Sequence, residues 1–410
     1  MLLGWTEALQ AIRLLLTCKY IKMRYFIKKV PHFSFIIIFI LKERILIMGK
    51  YLKLFKNHSE YEAFTSTKPN VSHCVQEAEL HCSPRTWANE YLTFVAKADG
   101  TFKFSGNSVS YSLDNGETWT TLASNTNSPT VTAGNRIMWK ATLSTTTNGI
   151  GKFSSTGQFD IEGNPMSLLF GDEFNGKISL SNKMCAFKNL FSGNTNVVNA
   201  KNLSLPATTL SLQCYQSMFS GCTSLVTAPQ LPATALTSNC YDSMFMGCTS
   251  LTKAPQLPAT TLSDSCYQGV FKNCTNLTTV QSILPATTLA SNCYNSMFMG
   301  CTSLTTAPEL PATTLTSNCY IQMFMGCTSL TKAPQLPATT LKTTCYTQMF
   351  YNCTNLNSIT CLATDISATN CTTMWASGVS ASGTFKKAAS MSSWTSGVNG
   401  IPNGWTVQDA

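Results

Sequence analysis

The sequence predicts a mainly β chain in two parts, a β-sandwich-like domain followed by a solenoid of short strands. Three observations carry this. Apolar and polar residues alternate between hairpin turns over residues 91–180. A phrase such as "LPATALTSNCYDSMFMGCTSLTKAPQ" (231–256) returns again and again from about residue 184. Within that phrase, one position holds only Gly or Asn.

The first segment, 1–47, differs from everything after it. It reads as a basic, apolar leader or as a spurious N-terminal extension ahead of a start at Met48. Residues 1–57 hold 11 Lys/Arg against Glu7 and Glu43, so they account for the whole net charge of +9, and the remaining body is neutral. A nucleic-acid partner needs a basic stripe to neutralise phosphates, and the body offers none. The apolar stretch Phe33–Leu41 is shorter than the ~20 residues that span a bilayer, so no transmembrane span is expected. A basic lead before an apolar core is the outline of a secretory signal, though no small-residue cleavage site follows.

Residues 48–90 form an N-terminal segment containing "HCVQEAELHC". His73, Cys74, His81 and Cys82 offer four zinc ligands by type. Neighbouring side chains on an extended segment point to opposite faces, however, and C-x-x-C spacing is absent, so a strand-turn-strand is the simpler expectation. His32, His58, His73 and His81 are the only histidines. Nothing after residue 81 can use His as base or metal ligand.

Over 91–180, "YLTFVAKADGTFKFSG" and "VSYSLDNGETWTTL" alternate in period two, with Asp-Gly and Asn-Gly as hairpin signals. A small sandwich of immunoglobulin-like proportions follows. "SLDNGETW" resembles the Asp-box of sialidase-type propellers, in which Asp114 would cap the turn, Gly116 take a positive φ and Trp119 pack beneath. Glycosidase chemistry needs a placed acid and nucleophile besides, so an enzymatic reading rests on one box without a catalytic set. Neither enzyme nor cofactor is expected; turnover of a sialoside panel would reverse that.

From 184 to 375 the Leu-Pro pair recurs at Leu205, Leu231, Leu257, Leu284, Leu310 and Leu336, with Leu362 as a worn seventh, in steps of 26 and once 27. The copies can be compared with one another. Leu225, Leu251, Leu277, Leu304, Leu330 and Leu356 recur with Phe219, Phe245, Phe271, Phe298, Phe324 and Phe350, each Phe preceded by Met except after Val270. Cys214, Cys240, Cys266, Cys293, Cys319 and Cys345 stand four residues before that Met or Val. This spacing predicts one helical turn per unit, capped by the Ser, Thr or Asn before the Cys. Gly221, Gly247, Asn273, Gly300, Gly326 and Asn352 follow each Phe by two, marking a left-handed stop. A short strand and a Pro-bearing corner at Pro229, Pro255, Pro308 and Pro334 complete the unit. Such a unit buries its apolar side only by stacking, and seven strands ~4.8 Å apart make a rod roughly 30 Å long.

The second thiol column is Cys222, Cys248, Cys274, Cys301, Cys327 and Cys353. No metal is expected, since no His and few carboxylates accompany the thiols. Within a unit the two cysteines stand eight residues apart, and equivalent thiols in neighbouring coils have parallel Cβ vectors, so neither arrangement suits a disulfide. Reduced, buried, structural thiols are the expectation.

"LPATTLTSNCYIQMFMGCTSLTKAPQ" resembles the leucine-rich repeats of BspA-like bacterial surface proteins of Bacteroides and its relatives, over roughly 184–375. The resemblance implies a right-handed leucine-rich-repeat solenoid with a parallel sheet on one face. "GIPNGWTV" (400–407) resembles the C-terminal cap of such arrays, so 376–410 is expected to cap the solenoid. The opening "YLKLFKNHSEYEAF...PNVSHC" also resembles N-termini of proteins from gut phages and mobile elements.

The resulting expectation is a non-enzymatic surface or secreted protein that adheres to a protein or carbohydrate. Its contacts would come from strand positions that vary while the buried ones do not: Thr252, Lys253 and Gln256; Thr305, Thr306 and Glu309; Thr331, Lys332 and Gln335. The alternative is a structural or receptor-binding component of a phage or mobile-element particle.

Overall fold

The computed structural model describes residues 87–392 and 394–410 in full, together with the backbone of strands β1 (Ile37–Leu41) and β2 (Arg44–Met48), which pair antiparallel. His73, Cys74, His81 and Cys82, and the rest of the leader and of residues 49–86, lie outside the described residues. The chain divides into two compact units, 1–86 and 87–410; the second contains the β-domain and the solenoid.

Seven strands build the β-domain: β3 (Leu92–Ala96), β4 (Phe102–Phe104), β5 (Val109–Ser112), β6 (Thr120–Leu122), β7 (Arg136–Lys140), β8 (Phe153–Ser155) and β9 (Phe159–Gly163). With β10 (Val197–Leu203) they form a six-stranded sheet in the order β10-β9-β3-β7-β5-β6 and a separate β4-β8 ribbon. The ribbon packs on the sheet through aromatic rings. Phe94 on β3 meets Phe102 and Phe153 at 5.2 and 4.9 Å, and Trp139 on β7 meets Phe153 at 5.0 Å. Strands β3 and β7 are central, and Leu92, Phe94, Ile137 and Trp139 are fully buried. The sandwich is thus uneven, six strands faced by two.

The sequence places a boundary near 180–184, yet hydrogen bonding crosses it. β10 pairs parallel with β9, and Asn199 within β10 bridges to Thr227 of the next coil. The ring of Phe153 stacks on Phe191 at 5.9 Å, and Phe191 on Phe219 at 5.3 Å. One hydrophobic core runs from Leu92 to Trp405. The β-domain therefore caps the N-terminal end of the solenoid rather than standing beside it.

Within the solenoid, the predicted helical turn is absent. Its place is taken by a chain of tight turns in which every fourth residue is left-handed. Asn239, Ser243 and Gly247 have φ of 55, 55 and 73°, and the same triplet begins at Cys185, Gln213, Ser265, Asn292, Asn318, Thr344 and Asn370. Cys240 and Met244 do share a face, as expected, but because the turn repeats every four residues. The Asn of "TSNCY" is not a cap; it is the first left-handed residue. The Thr or Ser two positions before Asn bonds backward to the preceding coil, as Thr237 Oγ1 does to the Ser211 carbonyl at 2.9 Å.

Amides in this segment alternate in their use. Those of Asn239, Tyr241, Ser243, Phe245 and Gly247 donate to carbonyls of the following coil. Those of Cys240, Asp242, Met244, Met246 and Cys248 donate three residues back within their own coil. A left-handed Ser, Gln or Thr costs about 1–2 kcal/mol, which the amide bond each makes to the next coil helps offset. The strand side is thinner: Thr227, Lys253 and Thr279 are joined by single parallel bridges. Full strands appear only at the two ends, β10 in the first coil and β11 (Ser358–Cys361), β12 (Thr384–Lys387) and β13 (Thr406–Asp409) at the C-terminal end, the last three all parallel.

Two aromatic ladders fill the core. Phe191, Phe219, Phe245, Phe271, Phe298, Phe324 and Phe350 stack at 5.3–5.8 Å, and Tyr215, Tyr241, Tyr267, Tyr294, Tyr320 and Tyr346 at 5.5–6.1 Å. Trp375 ends both, lying 6.3 Å from Tyr346 and 6.3 Å from Phe350. It does so because Thr372 and Ala376 occupy the ring positions of the last coil. Trp394 stacks on Trp375 at 5.6 Å, and Trp375 Nε1 donates to the Gly400 carbonyl at 2.7 Å.

Candidate functional site

Both thiol columns are fully buried, and their cysteines are free. The second column is more than packing. The thiols of Cys222, Cys248, Cys274, Cys301 and Cys327 each donate to a Phe carbonyl of the preceding coil at 3.1 Å, and Cys353 does so at 3.0 Å. Each such carbonyl already accepts an amide bond within its own coil, so the thiol takes its second lone pair. Burial pushes the Cys214, Cys222, Cys274 and Cys353 thiols up to about 12. Such thiols are poor nucleophiles and poor ligands. Among the described residues, no group of three or more His, Cys, Asp or Glu is placed to hold a metal ion.

Several polar side chains on the turn side bond to each other, although Gln216 Oε1 is buried without a partner. Gln216 Nε2 donates to Asp242 Oδ2 at 2.7 Å, Ser243 Oγ to Asp242 Oδ1 at 2.7 Å, and Gln322 Nε2 to Gln348 Oε1 at 2.7 Å. The strand side differs. Thr252, Lys253, Gln256, Thr305, Thr306, Glu309, Thr331, Lys332 and Gln335 are all exposed, while Pro255, Pro308 and Pro334 between them are buried. The three sets occupy one position of three coils, with Thr278 and Thr279 of the intervening coil bonded to the Thr252 carbonyl at 3.1 Å. Among the described residues, none of the nine side chains makes an ion pair or a hydrogen bond. What results is a face of uncommitted hydroxyl, amide and charged groups on successive stacked coils.

The hairpin between β5 and β6 is built as the sequence predicts. Asp114 accepts the Thr118 hydroxyl at 2.5 Å, the Thr118 amide at 2.9 Å and the Ser112 hydroxyl at 2.7 Å. These bonds, led by the Thr118 hydroxyl, lower its carboxyl to about 2. Gly116 has φ +90°, and Trp119 Nε1 donates to its carbonyl at 3.1 Å. All three of these bonds to Asp114 serve to close the turn. Beside it, Lys140 lies 4.3 Å over the Trp119 ring and holds Asp172 at 2.8 Å, while Tyr91 donates to Asp172 at 2.6 Å. Burial first, and then Asp172, raises the Tyr91 hydroxyl to about 12. This cluster pins the sheet to the segment after the helix Ser167–Phe170.

Sequence reasoning left out the tyrosine column and the turn-side amide ladder. The first had a clear signal, since Cys-Tyr stands in every complete copy. The second had none, because its positions change type from coil to coil, Gln216, Asp242, Asn295 and Ile321 at one and Ser243, Ser296, Gln322 and Gln348 at the next. No helix among the described residues is long and apolar enough to cross a membrane.

The family model for the BspA type leucine rich repeat region matches residues 188–307 and 294–373, in six copies. No curated protein and no solved structure matches the chain.

Proposed function

Since residues 188–373 belong to the BspA-type leucine-rich repeat family, we propose that the chain is a non-enzymatic binding protein that adheres, at a cell surface, to a protein or glycan through the strand side of its solenoid. The observation that carries this reading is the contrast between the two sides. On the turn side Gln216, Asp242, Ser243, Gln322 and Gln348 bond to one another, with Gln216 Oε1 left over, whereas the nine strand-side groups are all exposed and unpaired. A rigid array of unpaired donors and acceptors binds with little ordering cost. Its small net charge, Lys253 and Lys332 against Glu309, suits a neutral polar partner better than a strongly anionic one.

Full-length chain and the Lys332→Ala/Glu309→Ala double variant would be compared on an array of glycans and extracellular proteins. The expected result is weaker capture of whatever the parent captures, at an unchanged melting temperature. Equal capture by both proteins would remove this patch from the contact. Mass spectrometry of shaved cell surfaces against purified phage particles tests the location, and enrichment in particles would overturn the cell-surface reading.

A further inference from the structure

A second binding site lies outside the solenoid face. Two adjoining cavities, of about 350 and 550 Å³, share Asn107 and Ser144 and form one groove along the β4–β5 and β7–β8 loops of the β-domain, reaching Asn189 of the first coil. Three properties of this groove bear on what it holds.

Its walls are locked by backbone. The Ser105 amide donates to the Lys152 carbonyl at 2.9 Å, and the Lys152 amide to Ser105 Oγ at 3.1 Å. A Cβ at Gly149 would stand 2.7 Å from the Lys188 carbonyl, one at Gly151 would stand 2.6 Å from Gly106, and one at Gly106 would meet the Ile150 carbonyl. Loops this tightly interlocked keep their shape before a ligand arrives, which reduces the ordering cost of binding.

The side chains facing the groove are uncommitted. Asn107, Ser144, Asn148 and Asn189 line it, and among the described residues none of their side chains has a hydrogen-bond partner. Together they present three amides and a hydroxyl, each able to donate and accept. Such a set suits a ligand whose own groups both donate and accept, which is the chemistry of vicinal hydroxyls.

The groove also carries a single sign of charge. Lys152 lines it, is exposed, extends its Nζ beside Gly193 of the first coil and makes no ion pair or hydrogen bond among the described residues, and no Asp or Glu lines either cavity. Lys188, at the same rim, holds the Thr147 carbonyl and the Gln213 amide oxygen, each at 3.4 Å, and adds a second positive charge nearby. No aromatic ring lines the groove, which removes the stacking a nucleotide base would use.

From these properties we infer that the groove binds an acidic carbohydrate, with Lys152 meeting its carboxylate and Asn107, Ser144, Asn148 and Asn189 its hydroxyls. No residue of the site lies on the strand face used for adhesion, so the two readings stand or fall separately.

The test uses the full chain in calorimetric titrations with α-1,4-linked tetragalacturonate and with 3′-sialyllactose, against their neutral counterparts, the methyl-esterified tetramer and lactose. At least one acid is expected to bind about tenfold more tightly than its neutral form. Lys152→Met is expected to abolish that preference at an unchanged melting temperature. Asn107→Ala/Asn148→Ala should weaken the acidic and the neutral form together. Equal affinity for acid and neutral forms, a preference that survives Lys152→Met, or no binding of either acid would each overturn the proposal. So would inorganic phosphate binding as tightly as the acidic sugars, which would mean a simple anion site. Lys332→Ala/Glu309→Ala should leave these titrations unchanged.

Discussion

Each coil holds its neighbours differently on its two sides. From Asn239 to Gly247, every second amide crosses to the next coil and every other one closes a turn, so no amide is idle. Beyond Leu251, the Lys253 bridges and the Ala254 amide carry the link to the next coil, and the prolines that follow have no amide to give. The turn side fixes register and spacing; the strand side is carried by it. This explains why residue identity is constrained at Cys240, Tyr241, Met244, Phe245 and Gly247 yet free at Thr252, Lys253 and Gln256. It also explains how one coil tolerates an extra residue. In the 27-residue step the strand side bulges, and the Gln281 side chain supplies the missing rung by accepting the Leu257 amide at 2.8 Å and donating to the Ile283 carbonyl at 2.7 Å.

The widest test of that division is alkaline pH, because the titrating groups sit almost entirely on the turn side. Thiols such as Cys222, Cys274 and Cys353 rise from 9.0 to about 12 on folding, and Tyr215, Tyr241 and Tyr267 lie well above 10.0, in each case through burial. The unfolded chain therefore loses these protons first. Stability should be flat from about pH 6 to 9 and fall steeply from 9 towards 12, as the unfolded state is favoured by each ionisation. Urea unfolding across pH 6–11 measures it. A flat profile to pH 11 would mean that the thiol and tyrosine columns are hydrated, and that the turn side is not the sealed one. In the native state at pH 8, iodoacetamide should leave these thiols unmodified.

Next in size is the ladder itself. Phe271→Ala removes a fully buried ring between Phe245 and Phe298, each 5.8 Å away. Large-to-small changes of this kind cost about 3–5 kcal/mol. Because each coil touches only its neighbours, the loss should appear first as local fraying, seen by hydrogen exchange in the two flanking coils before the ends. Uniform loss across all coils would show one cooperative unit instead.

How much of this was legible beforehand follows the same division. The period, the buried Leu and Phe and the left-handed Gly/Asn position could be read because six copies stand side by side in the chain. The turn conformation could not. Cys240 and Met244 are four apart, which fits a helix of 3.6 residues per turn nearly as well as a turn repeating every four. What separates the two is φ at Ser243, Gln322 and Thr344, residue types that seldom adopt left-handed backbone and so gave no signal. The β-domain was legible strand by strand from its alternation and from "SLDNGETW". Its fusion to the solenoid was not, because the stack of Phe153 on Phe191 joins rings from segments with unlike patterns. The nine strand-face residues were found by their variability, and the structure places them exposed. The groove beside Lys152 was invisible, since it is assembled from loops at 105–107, 144–152 and 189.

The smallest effect makes the sharpest comparison, because it sets a left-handed residue against a strand-face one in the same coil. Gly247 has φ +73°, and a Cβ there would stand 3.7 Å from Gly221, an ordinary contact. Gly247→Ala should therefore cost only the conformational term, about 1–2 kcal/mol. Gly247→Asn should cost less, since Asn273 and Asn352 already hold the same conformation at 60 and 57°. Gly300→Ala should cost more than Gly247→Ala, because its Cβ would meet the side chain of Asn273. Lys253→Ala, on the exposed strand face, should stay within about 0.5 kcal/mol. Denaturant melts of the four variants give the ranking directly. If Lys253→Ala proved as costly as Gly247→Ala, the strand side would be bearing register after all, and its freedom to vary would need a cause other than mechanical idleness.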